Sequence, residues 1–207
     1  MRKRRKSKAN GGKALATCMV LFVFAGIIGL LIEPSQNPLV AEEVEKAIGI
    51  PFQEDNLADE IKRPGIKRKI KYIVVHNTAN PESTARNERD FLSNPNNSSS
   101  TSWHIVVDAK EMIQAIPVTE IAFHAGTEEG NRYGIGIEIC ESGDYKQAEE
   151  NAQKLIAYLM KIYHLKPQAI KTHKDFTGKE CPRLIIEHWE SFLEGVQNQR
   201  EKLNEER

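Results

Sequence analysis

The sequence predicts an α/β fold, a single domain built on a central mixed β-sheet flanked by helices and preceded by an N-terminal transmembrane helix. Three observations carry this reading. A run without charge follows a cluster of basic residues at the N-terminus; short β-branched apolar runs recur along the rest of the chain; and apolar residues at steps of three and four form two long stripes toward the C-terminus.

The first element is read from charge and length. Residues 1–13 carry Arg2, Lys3, Arg4, Arg5, Lys6, Lys8 and Lys13 with no acid, and residues 14–32 carry no charge. An apolar stretch of about 20 residues matches the thickness of a bilayer, whereas the apolar region of a cleaved signal peptide is usually about 7–15 residues. A signal-anchor is therefore expected over secretion after signal cleavage. Basic residues stay in the cytoplasm, so the remainder should lie outside the plasma membrane, facing the cell wall. Removing the seven N-terminal basic residues leaves twenty-two against twenty-nine acids. An exported part of that charge argues against a nucleic-acid partner.

Residues 33–62 hold Pro34, Pro38 and Pro51 among acids and amides, and are read as a linker with one or two helical turns near Val44 to Ile48. The domain follows over 63–198. Its first strand is the β-branched run Ile70 to Val75, with His76 at its end. A short helix is expected from Pro81 to Leu92, then a loop of turn-forming residues from Asn94 to Ser100. Trp103 to Val107 and Met112 to Ile116 flank a turn at residues 108–111 and predict a hairpin. The run Gly134 to Cys140 predicts a buried strand with one carboxylate, Glu138.

Ala148, Ala152, Leu155, Ile156, Leu159 and Ile162 trace an amphipathic helix. Residues 169–172 predict a short strand. Pro182 suits a first helical position, and Leu184, Ile185, His188, Trp189, Phe192 and Val196 trace the stripe behind it. The charged tail, 199–207, is expected to fray.

Hydrolytic zinc sites take three protein ligands and leave a position for water or substrate. His76 and His173 each follow a predicted strand, where ligand groups of open α/β sheets gather. Cys181 follows His173 across a polar loop and precedes the predicted Pro182 helix, whose positive end would favour a thiolate. Taken one at a time, each reads first as an ordinary loop histidine or a small buried cysteine, and spacing alone does not single out a metal site. Cys140 reads as a buried small residue, and no disulfide to Cys181 is expected.

Several segments in order resemble the type 2 N-acetylmuramoyl-L-alanine amidases, a family that includes phage endolysin amidases and is similar to the peptidoglycan recognition proteins. They are the runs 72–79 (YIVVHNTA), 102–105 (SWHI), 123–126 (FHAG), 134–139 (GIGIEI), 172–175 (THKD) and 179–182 (KECP). The resemblance implies Zn²⁺ held by His76, His173 and Cys181, with Glu138 and Lys179 as catalytic residues. It implies that Trp103 stands where some relatives use a tyrosine, and an indole lacks a phenol's acidic hydroxyl. His104 and His124 would lie on the substrate side or behind the ligands. The implied substrate is peptidoglycan, cut between the lactyl group of N-acetylmuramic acid and L-alanine, and a monomer is expected. Two alternatives stay open: a peptidoglycan-binding module without catalysis, and a hydrolase with Cys181 as nucleophile and His173 as its base.

Overall fold

Parallel strand pairing sets the frame that positions every candidate residue. The structure, a computed structural model, describes residues 37–58 and 60–205. In chain order these form α1 (Ala41–Ile48), β1 (Phe52–Glu54), β2 (Tyr72–Asn77), α2 (Ala85–Ser93), β3 (Ile105–Val107), β4 (Met112–Gln114), α3 (Glu128–Tyr133), β5 (Gly134–Ile139), α4 (Tyr145–Ile162), β6 (Ile170–Thr172), α5 (Lys174–Thr177) and α6 (Trp189–Glu205). Among the described residues the strands make one six-stranded sheet in the order β1, β4, β3, β5, β2, β6. Only β3 and β4 pair antiparallel, as the hairpin expected from sequence; the other neighbours run parallel. The sheet is mixed, as predicted.

Side chains on a strand alternate between faces, and here the two faces have different duties. Ile73 and Val75 of β2, Ile105 and Val107 of β3, and Ile135, Ile137 and Ile139 of β5 enter one large apolar core with Leu155, Ile156 and Leu159 of α4 and Phe192 and Val196 of α6. Fully burying each of these large aliphatic side chains contributes about 1.5–3 kcal/mol. The opposite face carries Val106, Ile113 and the apolar side of α2, with Trp103 and Cys140, in a smaller cluster. His76 and Glu138 stand at alternate positions to the isoleucines and valines, and so belong to that second face. They are direct partners across the parallel β2–β5 pair.

The helix starts are set by caps. Thr84 closes a capping box with Asn87 at the start of α2, which begins after the expected Pro81. Asp144 accepts the Gln147 N–H at the start of α4.

Three expectations are corrected. The helical turns expected near Val44 to Ile48 are present as α1, but residues 37–54 are not a linker: Val44 and Ile48 are buried in the main core, and β1 pairs in parallel with β4. Pro182 does not open a helix. The Leu184 N–H is captured by Asn77 Oδ1 at 3.0 Å and Arg183 by Glu141, so the chain turns there and α6 starts only at Trp189. The tail does not fray at 199, because α6 runs to Glu205 and the Leu203 carbonyl accepts from Lys161 Nζ at 2.5 Å. The segment 14–32 lies outside the described residues, and among those described no helix is long and apolar enough to cross a membrane.

Candidate metal and catalytic site

The C-terminal ends of β2, β5 and β6 converge, and with them the side chains that follow. His76 is the fifth residue of β2, Glu138 the fifth of β5, and His173 comes directly after β6. The loop after α5 then returns Cys181 to the same place: its carbonyl accepts the Lys174 N–H at 3.1 Å. One donor atom from each of His76, His173 and Cys181 lies within 4.8 Å of the others. His76 Nδ1 is 3.7 Å from Cys181 Sγ and 4.0 Å from Glu138 Oε1.

Burial gives these groups their electrostatic character. It pushes the His76 imidazolium well below its usual range, with repulsion from His124, His173 and Lys179 acting the same way. It lowers His173 too, again followed by Lys179. Both rings are therefore neutral at ordinary pH, the form that binds metal. Burial raises the Glu138 carboxyl to about 8, helped by the nearby Glu88 and opposed by Lys179. It raises the Cys181 thiol to about 11, with Glu138 adding and the hydrogen-bonding Asn77 backbone opposing.

These residues fit a metal ion. His173 Nδ1 and Glu138 Oε2 are buried polar atoms without a hydrogen-bond partner, which costs free energy unless something completes them. Two neutral imidazoles and a sulfur of soft character suit a divalent transition metal such as zinc. The expected help to the thiolate from a helix N-terminus is absent, since no helix begins at Pro182. Burial instead keeps the thiol protonated without a cation, which also leaves Cys181 a poor free nucleophile. Both Cys181 and Cys140 are free, buried thiols.

The sequence matches the N-acetylmuramoyl-L-alanine amidase family across residues 66–184, a span that contains every group just described. The chain belongs to this family. It is 44% identical over 154 residues to the N-acetylmuramoyl-L-alanine amidase CwlH of Bacillus subtilis (strain 168), covering 71% of this chain and 58% of CwlH. It is 43% identical over 140 residues to the amidase XlyA of the same organism, covering 65% and 46%. The chain thus spans about half the length of these curated relatives. The solved catalytic domain of XlyA superposes with a TM-score of 0.68 at 40% identity, covering 71% of this chain and 99% of that domain.

Within this amidase-family domain, the residues expected at the site divide into two groups. His76, His173, Cys181 and Glu138 come together. Lys179 is exposed at the rim of a cavity of about 350 Å³ bordered also by Ser100, His124, Gly126 and His173. Its charge reaches His76, His173, Glu138 and Cys181 alike. Trp103, expected where some relatives use a tyrosine and named with the substrate-binding residues, and His104, expected on the substrate side or behind the ligands, are interior residues. Trp103 packs in the smaller apolar cluster. His104 is wholly buried, accepting the Gly136 N–H on Nδ1 at 2.9 Å and meeting the Glu120 carbonyl through Nε2 at 3.0 Å. The hydrogen bonds that seat this ring are long-range, and no local pattern announces them.

Asn77, which no local sequence pattern marks, clamps the Cys181 loop. Its backbone binds the sulfur, its Oδ1 accepts from Leu184, and its Nδ2 donates to Tyr145 Oη at 3.1 Å. Glu141 is unmarked as well; it holds Arg183, two residues beyond Cys181, and accepts the Ala79 N–H at 3.1 Å. A second cavity, of about 550 Å³, begins at Thr78 and runs along α2 past Glu88 to Phe91 and Asn94.

Proposed function

We propose that this chain is a zinc-dependent N-acetylmuramoyl-L-alanine amidase that hydrolyses the lactyl amide bond between N-acetylmuramic acid and the L-alanine of peptidoglycan stem peptides. In this reading it acts outside the plasma membrane, anchored as a single-pass protein by residues 14–32. The observation that carries the reading is the approach of His76, His173 and Cys181 to within 4.8 Å beside a buried carboxylate with an unpartnered oxygen. Family membership and the likeness to the XlyA catalytic domain support it.

His76, His173 and Cys181 would hold the ion, leaving one face for water and substrate. When bound, Zn²⁺ supplies Lewis acidity, polarising a carbonyl and acidifying water. Glu138 would take a proton from the attacking water as that oxygen bonds to the lactyl carbonyl carbon. Lys179, at the rim, places positive charge near the oxyanion that develops. Glu138 then returns its proton to the alanine nitrogen as the C–N bond breaks. The products are a lactyl carboxylate on the sugar and a stem peptide with a free amine.

The test uses Glu138→Gln, which keeps size and removes the base. Zinc content should stay near one ion per chain while peptide release from purified sacculi falls by about 10²–10⁴-fold. Release at the wild-type rate would show that another group moves the proton. Mass spectrometry of the wild-type digest should find a new amine on alanine with the sugar intact, and any other cleaved bond would sink the substrate assignment. A chelator should abolish release and Zn²⁺ restore it.

A further inference from the structure

His124 does not stand free in the cleft. Its ring lies against β5, over Gly136. A Cβ at Gly136 would meet ring atoms of His124 at 2.6–2.9 Å, and one at Gly134 would meet its Cε1 at 3.3 Å. The backbone under the ring is clamped: the His124 and Ala125 N–H groups both donate to Asn131 Oδ1, at 2.9 and 2.7 Å. So Gly136, on the same face of the strand as Glu138, leaves room for the His124 ring, while Gly134 is closed in chiefly by the Gly130 carbonyl and Val74.

The ring's two nitrogens have unlike partners. Nε2 lies 3.1 Å from the Gly134 carbonyl oxygen, which can only accept, so Nε2 carries the proton. Nδ1 of a neutral ring is then a bare lone pair. Its neighbour, at 3.1 Å, is His76 Nε2. Two lone pairs would repel at that distance, so His76 Nε2 carries the proton and donates it. The consequence falls on the other nitrogen: His76 Nδ1, which faces Cys181 Sγ at 3.7 Å, is left without a proton.

We propose that His124 is a positioning residue, which receives the His76 Nε2–H and so holds Nδ1 of His76 as a bare donor aimed at the metal position. The proposal rests on the reading that His76 is a ligand. It defines a chain from a backbone carbonyl through two imidazoles to the ion, with both rings fixed before any metal arrives. Partners behind a ligand histidine commonly fix its tautomer and orientation, and removing one typically costs 10–100-fold in metal affinity.

The test reads nitrogen protonation and metal affinity, and uses no peptidoglycan. Long-range ¹H–¹⁵N spectra of the chelator-treated wild-type protein at pH 8 should show His76 protonated on Nε2 and His124 likewise. Zn²⁺ affinity is then measured by competition with a chromogenic chelator. His124→Phe keeps the bulk and loses the acceptor, and should bind about 10–100-fold more weakly. His124→Asn keeps an oxygen near the Nδ1 position and should recover most of the loss. Gly136→Ala, which displaces the ring, should resemble His124→Phe.

His76 protonated on Nδ1 in the wild-type protein would overturn the proposal. So would wild-type affinity in a folded His124→Phe variant, and so would an Asn variant as weak as Phe, which would reduce the ring to packing. If His124→Phe does not fold, the wild-type spectrum and the Asn variant decide. A wild-type protein that binds no Zn²⁺ would sink the metal reading instead, and the tautomer would still be read from the metal-free spectrum.

Discussion

Glu138 projects from a strand whose alternate residues are Ile135, Ile137 and Ile139, and its neighbours give it no hydrogen-bond partner for Oε2. Without a cation the carboxyl is pushed up to about 8, chiefly by burial. In an unfolded chain a glutamate titrates near 4.3. The folded state therefore binds the extra proton between those values, and the stability its protonated form contributes is complete below about 4.3 and lost as pH rises through about 8. The neighbouring His76 is shifted the other way, so the bulk slope of stability against pH mixes opposing contributions. A difference isolates Glu138. In chelator-treated protein, the melting temperature of Glu138→Gln relative to wild type should rise steadily from pH 5 to pH 8 and level off above. A constant difference over that window would mean that the carboxylate is already paired in the metal-free state. Saturating Zn²⁺ should shrink the effect, because a divalent cation next to the carboxylate favours its charged form.

At the scale of elements, α1 and β1 extend the domain beyond the segment that matches the family, residues 66–184. Ile48 packs in the main core with the residues of α4, whereas Val40 is half exposed. Ile48→Ala should lower unfolding free energy by about 2–5 kcal/mol. Val40→Ala, one residue before α1, should stay within about 0.5 kcal/mol. Denaturant melts of the two variants compare them directly, and equal midpoints would return this segment to the status of a linker. Elements with a strong local period were legible in sequence: β2, β5, α4 and the β3–β4 hairpin all appear near their expected places. Those that depend on distant partners were not. β1 is three residues long with one buried side chain, and exists because β4, some 60 residues on, offers it an edge. α3 has six residues and only Gly130 buried. The site divides in the same way. His76, Glu138 and His173 could be placed from predicted strands, while the interior position of His104 and the clamp by Asn77 are contacts between segments far apart in the chain, and the seat for His124 depends on how the chain folds back between residues 124 and 136.

At the scale of the whole molecule, the charge pattern makes a claim that the domain alone does not. Seven basic residues before residue 14 are followed by no charge until Glu33. An uncharged run of that length is long enough to span a bilayer, and the basic flank would hold the N-terminus in the cytoplasm. A catalytic domain for peptidoglycan needs the opposite side, so the topology and the proposed substrate make one requirement. The full chain, expressed in a bacterium with a C-terminal tag, should pellet with membranes, resist alkaline carbonate and dissolve only in detergent. Protease added outside intact spheroplasts should remove the tag while an N-terminal tag survives. A chain lacking residues 1–33 should remain in the soluble fraction and keep its Zn²⁺ affinity, because α1 to α6 lie wholly beyond that cut. Signal cleavage would yield a different pattern: a shortened, tag-bearing chain in the medium and no intact 23.4 kDa species in the membrane pellet. That outcome would keep the proposed chemistry and remove the anchor, and the chain would then have to find the wall by its substrate contacts alone.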